Sequence, residues 1–141
     1  MRLWHEKLLP VLPRQQLLGQ HRECCALRGA GWGKPHATVN YVFEHPKEWL
    51  YCYHSKVMHE MVKRGYSPDI LWYSEHYRGK NMPPDYSIST TVVNDLLRSQ
   101  SIIYPEHNDK YLTECINNLA TKGIFIHYPD NTIPLEDFYD E

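Results

Sequence analysis

The chain has 141 residues, the size of one compact domain that buries about two-thirds of its unfolded surface around a single core. No apolar run approaches the roughly 18–20 residues of a membrane helix, and no charged leader precedes an uninterrupted apolar block, so a soluble, unexported protein with no membrane partner is expected. The formal net charge of −2 excludes a uniformly basic surface.

That total hides an asymmetry. Of 17 acidic side chains, five (Asp130, Glu136, Asp137, Asp140 and Glu141) fall in residues 127–141, which hold no Lys or Arg, so the remaining 12 face 15 basic ones in residues 1–126, a net of +3. A nucleic-acid partner would need those cations clustered. The four cysteines, Cys24, Cys25, Cys52 and Cys115, lie in or near apolar positions without C-x-x-C spacing, which favours buried free thiols in a reducing compartment over disulfides.

In chain order, Pro13 sits just ahead of a helix over 14–28, and Gly29, Gly31 and Gly33 end it and open a flexible loop through Pro35. A second helix starts with Pro46 in its first turn. Trp49, Leu50, Tyr53, Val57 and Met61 form its apolar stripe, expected against the first helix, and Lys63-Arg64-Gly65 supplies cations and a C′ glycine at its end. Residues 67–84 carry Pro and Gly without a sustained period and read as a long connection with at most one short turn. Ile88, Val92 and Leu96 predict a helix over 85–98, and Tyr111, Leu112, Cys115, Ile116 and Leu119 predict another over 108–122 before Gly123. Residues 124–126 read equally as a short strand or an apolar anchor. The expectation is an all-α single compact domain of about four helices with long loops: a helical domain at 1–126 and an irregular acidic tail at 127–141.

The first helix carries the most information. At about 100° per residue, Leu17, Leu18, His21, Cys24, Cys25 and Arg28 share one sector, while Gln16, Gly19, Glu23 and Ala26 share the other. Glycine inside a helix costs roughly 1 kcal/mol against alanine, so Gly19 raises the question of what approaches that face. Either a ligand lies beside the Glu23 carboxylate, or the glutamate is exposed and the glycine is tolerated for packing.

Arg22-Glu23 in this helix, Lys63-Arg64-Gly65-Tyr66, and Tyr77-Arg78-Gly79-Lys80 leading to Pro83-Pro84 and Ser87-Ile88 occur in an order that resembles the phage-type pyrimidine-dimer DNA glycosylases, also called endonuclease V of the dimer-excising kind. The similarity covers roughly residues 1 to 100, and the Met-Arg-Leu-Trp-His opening looks like a bacterial branch. The resemblance implies a DNA-repair enzyme, a monomer without cofactor, acting on damaged double-stranded DNA in the cytoplasm at the nucleoid. It would break the N-glycosidic bond of a damaged pyrimidine and then cut the strand by β-elimination.

The resemblance implies the α-amine at the chain's start as the nucleophile on C1′, forming an imine with the opened sugar. An α-amine has an ordinary pKa near 7.7–8.0, so a minority is unprotonated at neutral pH, whereas a lysine near 10.4 would need strong perturbation. A neighbouring carboxylate stabilises the developing oxocarbenium charge and moves protons. Glu23 matches the family's catalytic glutamate and Arg22 its DNA-contacting arginine. Two departures stand out: Met1 is followed by Arg2, too large for normal methionine removal, so the amine is assigned to Met1; and Gln16 occupies a position held by histidine in the phage-type pattern.

The expected site is therefore Met1 and Glu23 as catalytic residues, with Arg2, Gln16, Arg22, Arg28, Lys34, Arg78 and Lys80 contacting DNA. Trp4, Trp32 and Tyr77 are either stacking surfaces or core. No metal is assigned, because His54 and His59 are five apart on their helix and do not match H-E-x-x-H geometry; His21 reads as a hydrogen-bonded interior residue. The competing reading is a non-catalytic nucleic-acid or protein-binding module on the same fold.

Overall fold

The organising element is the second helix, α2 (Lys47–Lys63), which buries Leu50, Tyr51, Cys52, Tyr53, His54, Val57, Met58 and Met61. A computed structural model describes residues 1–126; the expected tail at 127–141 lies outside the described residues. Against α2 pack the first helix, α1 (Arg14–Arg28), the third, α3 (Thr90–Ser99), and an N-terminal 3-10 turn at Glu6–Val11. The fourth helix, α4 (Asp109–Thr121), and two further 3-10 turns, Asn40–Glu44 and Ile70–Tyr73, complete the described residues, which contain no strand. The architecture is all-α, and no described helix is long and apolar enough to cross a membrane.

The start and stop signals act as the sequence suggests. Asn108 caps α4 by accepting the Tyr111 N–H, and Ser89 caps α3 by accepting that of Val92. α2 and α4 both end in Schellman motifs: Gly65 and Gly123 take positive φ, Tyr66 N–H reaches Met61 C=O, and Ile124 N–H reaches Leu119 C=O. Pro13 and Pro46 stand at the N-cap positions, so Pro46 lies just outside the helix rather than in its first turn.

The structure corrects one boundary, decides one open alternative and gives two glycines a packing role. α3 begins at Thr90, five residues later than expected, because Asp85 accepts from Ser87 and from Lys47 at 2.8 Å, which holds the chain in a turn until Ser89 can cap. Residues 124–126 form no strand; Ile124 and Ile126 anchor the chain on the core while Phe125 stays exposed. Gly29 and Gly31 serve close packing, since a Cβ at Gly29 would lie 2.9 Å from Arg78 C=O and one at Gly31 2.7 Å from Ala26 C=O. The four cysteines are free thiols, buried except for half-buried Cys25.

Polar bonds as well as apolar contacts tie the N-terminal segment to α2. Arg64 donates to the carbonyls of Leu9, Pro10 and Leu12, and the buried Glu6 carboxylate accepts from Lys56 at 2.5 Å and from Ile103 N–H at 2.8 Å. These bonds fix residues 6–12 against α2.

Candidate active site

Each of the first four residues is held by a side chain. The Thr38 hydroxyl donates to Met1 C=O, Gln20 Nε2 to Arg2 C=O at 3.0 Å, and the Tyr111 hydroxyl to Leu3 C=O at 2.5 Å. Trp4 N–H donates to Gln20 Oε1 at 2.6 Å, and the Tyr53 hydroxyl donates to Trp4 C=O at 2.5 Å. Gln20, fully buried on α1, also donates to Glu23 Oε1 at 3.1 Å, so one amide fixes both the opening backbone and the carboxylate one turn further along the helix.

What this scaffold presents is an open cleft of about 250 Å³ between Met1, Arg2, Glu23, Thr38, Asn118 and Lys122. Met1 is 40% exposed, so its nitrogen is not walled off. Burial pushes the Glu23 carboxyl above its ordinary pKa, and the terminal amine, Lys122, Arg22 and His36 pull it back down. The Arg2 guanidinium pairs with Glu114 at 3.1 Å and lies over the rings of Trp4 and Tyr111. Lys122 Nζ sits 5.3 Å above Trp4. An amine, a carboxyl and two cations thus share one open concavity, the set needed to attack an electrophilic carbon, stabilise positive charge on it and hold nearby phosphates.

The other expected DNA contacts divide. Arg22 is exposed one position from Glu23, Lys34 and Lys80 are exposed on loops, and Gln16 is half-buried on α1. Arg28 is buried at 7% exposure between the rings of Tyr51 and Trp72, and donates to three carbonyls and to His54. Half-buried Arg78 donates to Arg28 C=O and Gly29 C=O, satisfying carbonyls at the end of α1. Their donors serve the fold rather than phosphates. Among the candidate stacking aromatics, Trp4 is buried, Trp32 packs edge-on against Phe43, and Tyr77 packs against Trp72.

Gly19 is not required for close packing, since an added Cβ would meet only the Arg22 guanidinium, at 3.7 Å. We therefore expect Gly19→Ala to raise stability by about 0.5–1 kcal/mol in urea unfolding. Unchanged or lower stability would show that a side chain at position 19 carries a cost in the folded helix.

Sequence reasoning missed a second cluster. His21 and Cys25 on α1 meet His54 on α2, with their potential ligand atoms within 4.8 Å of one another. A metal could take this N₂S set, but the hydrogen bonds run against it. Arg28 always donates, so His54 Nδ1, 2.9 Å away, must accept; the His54 proton is then on Nε2, which donates to His21 Nδ1 at 2.8 Å. That leaves no lone pair on His54 for a cation, and burial pushes the Cys25 thiol up to about 11. Burial likewise lowers both histidine pKa values and keeps the rings neutral. His21 is thus hydrogen-bonded to its partner across the helix interface, as its position on the apolar sector suggests.

Gln20 lies three residues before Glu23, so helical spacing alone could have linked them. Thr38, His36, Asn118 and Lys122 arrive through tertiary packing and leave no local signal.

Fold and cleft describe a small helical protein whose own first nitrogen opens onto a carboxyl-bearing, cation-flanked site. Residues 1–74 match the family model described as pyrimidine dimer DNA glycosylase, and the chain belongs to that family. No curated protein and no solved structure matches it. Membership implies a DNA glycosylase, with DNA as substrate.

Proposed function

We propose that the chain removes a damaged pyrimidine from double-stranded DNA and then cuts the strand as an abasic-site lyase, acting as a monomer without cofactor at the cytoplasmic nucleoid. The observation that carries this reading is that Met1 and Glu23 line one open cleft, close enough for the amine to pull on the carboxyl's proton affinity. The Met1 amine attacks C1′, the C1′–base bond breaks, and an imine joins protein and sugar. Glu23 stabilises the positive charge on the sugar and takes the proton whose loss starts β-elimination. Arg2, Arg22 and Lys122 hold the phosphates nearest the cleft, with Gln16, Lys34 and Lys80 further out. Reaching C1′ in a duplex means extruding or kinking the nucleotide, a cost of roughly a few kcal/mol that a lesion lowers.

The test is to trap the imine. Wild-type protein incubated with ultraviolet-irradiated or abasic duplex and borohydride is expected to become attached through Met1, while acetylation of the α-amine or an uncleaved N-terminal tag abolishes trapping and leaves the circular dichroism spectrum unchanged. Full turnover by tagged protein would remove Met1 from the mechanism. A wild-type protein that binds DNA but neither traps nor cuts it would leave a binding module.

A further inference from the structure

Beside the first nitrogen stands a histidine that no motif singled out. His36 Nε2 lies 3.4 Å from the Met1 amine, and its Nδ1 lies 3.3 Å from the Thr38 hydroxyl oxygen. The Thr38 proton is already committed, because that hydroxyl donates to Met1 C=O. Its oxygen is left as an acceptor, so in neutral His36 the ring proton belongs on Nδ1, pointing at Thr38, and the Nε2 lone pair faces the terminal amine. This is the arrangement in which a base activates a nucleophile while a third group fixes the base's tautomer.

The loop is built to hold that geometry. His36 N–H donates to Asn40 Oδ1 at 2.7 Å, Val39 N–H donates to His36 C=O at 2.9 Å, and the Val39 side chain is fully buried. Two otherwise exposed residues are thus tethered on both sides, and Met1 C=O is tied to the same loop. The charged side chains lining the cleft are those of Arg2, Glu23 and Lys122; Glu114 pairs with Arg2, and Arg22 acts on Glu23 from outside the lining. Among the described residues, His36 is the hydrogen-bond partner of the terminal nitrogen, while Glu23 acts on it through charge.

We infer that His36 is the proton acceptor for the Met1 amine, and that Thr38 is the positioning residue that sets its tautomer. The inference rests on the glycosylase reading above for its substrate, not for its geometry. The Met1 ammonium gives a proton to His36 Nε2, and the freed nitrogen pair forms the N–C1′ bond as the C1′–base bond breaks. The bond's electron pair leaves with the pyrimidine, which takes up a proton from water. After His36 passes the first proton to solvent it takes a second from the amine. The nitrogen pair then forms the C1′=N bond as the C1′–O4′ bond breaks, its electron pair leaving on O4′, which takes up a proton to become the sugar hydroxyl. A 3.4 Å contact in the unliganded protein is long, as catalytic hydrogen bonds often are before substrate closes the site.

Two readouts test this separately. On abasic duplex, His36→Ala should slow borohydride trapping about 100-fold near pH 7, with the deficit shrinking as pH rises and hydroxide replaces the missing base. Thr38→Val should slow it several-fold and Thr38→Ser should restore it. Without DNA, acylation of Met1 by a neutral ester at pH 7, followed by mass spectrometry with internal lysines as reference, should fall several-fold in His36→Ala. Equal acylation in wild type and His36→Ala overturns the assignment whatever happens on DNA, as does a trapping deficit that stays constant with pH. If wild type leaves DNA untouched but its acylation still depends on His36, the acid–base pair stands and the glycosylase reading falls.

Discussion

Glu23→Gln should lower the single-turnover rate of strand cutting by about 1000-fold while leaving the fold intact. Removing one group that stabilises transition-state charge costs roughly 10²–10³-fold, and loss of a positioned base is of similar size. Glutamine can do neither, yet it keeps the oxygen that accepts from Gln20 Nε2. The stability sign runs opposite to the activity sign. Burial raises the folded-state pKa of Glu23 above its ordinary 4.5, so the favourable protonated form is fully present below the unfolded value and is lost as pH climbs through the folded one. At pH 7 wild type therefore carries the cost of a half-buried carboxylate that the variant lacks. The variant's Tm should equal or exceed that of wild type at pH 7, and the gap should close on acidification toward pH 4. A Tm several degrees lower at neutral pH would mean that lost activity reports lost structure, and Glu23 would forfeit its catalytic role.

This tension is a general property of the cleft. The first four residues are bound by Thr38, Gln20, Tyr111 and Tyr53 from four parts of the fold, and what they deliver is an amine beside a half-buried carboxyl. Ordering the start of a chain costs conformational entropy. The buried amide of Gln20, with both of its ends engaged, ties that ordering to the position of Glu23.

Helices were legible where the pattern is local. The stripe of α2, its Schellman glycine and the bounds of α1 and α4 all follow from spacing and punctuation. α3 was misplaced at its start because Asp85, a plausible first-turn residue by composition, is claimed by Lys47 from another element. In the site, Met1, Arg2 and Glu23 were legible as neighbours through resemblance and helix geometry, and the cleft brings them together. His36, Thr38 and Lys122 were not, since they are 35, 37 and 121 positions from Met1 and meet it only through the packed fold. Cations were read least well: sequence gives charge but not burial, and so it ranked Arg28 with Lys34 and Lys80 although only the latter two are exposed.

Arg28→Leu is expected to destabilise the protein by about 3–5 kcal/mol, the cost of breaking a buried charged network from one side, or roughly 10–15 °C in Tm for a chain of this size. Its guanidinium supplies Trp72 C=O at 2.9 Å, Ser74 C=O at 2.7 Å, Tyr77 C=O at 3.3 Å and His54 Nδ1 at 2.9 Å, and the cation lies 4.8 Å and 5.0 Å from the rings of Tyr51 and Trp72. Leucine fills part of the space but leaves three part-buried carbonyls and the buried His54 ring nitrogen without donors. Arg28→Lys keeps the charge and loses the planar fork, so it should recover only part of the loss. Arg22→Leu, six residues earlier on the same helix, is the contrasting control: the side chain is exposed, so stability should change by less than about 0.5 kcal/mol, while affinity for duplex DNA and its salt dependence both fall. Chemical denaturation paired with DNA titration separates the two residues. If Arg28→Leu keeps wild-type stability and loses DNA affinity, Arg28 is a phosphate contact and the clamp assigned to it is wrong.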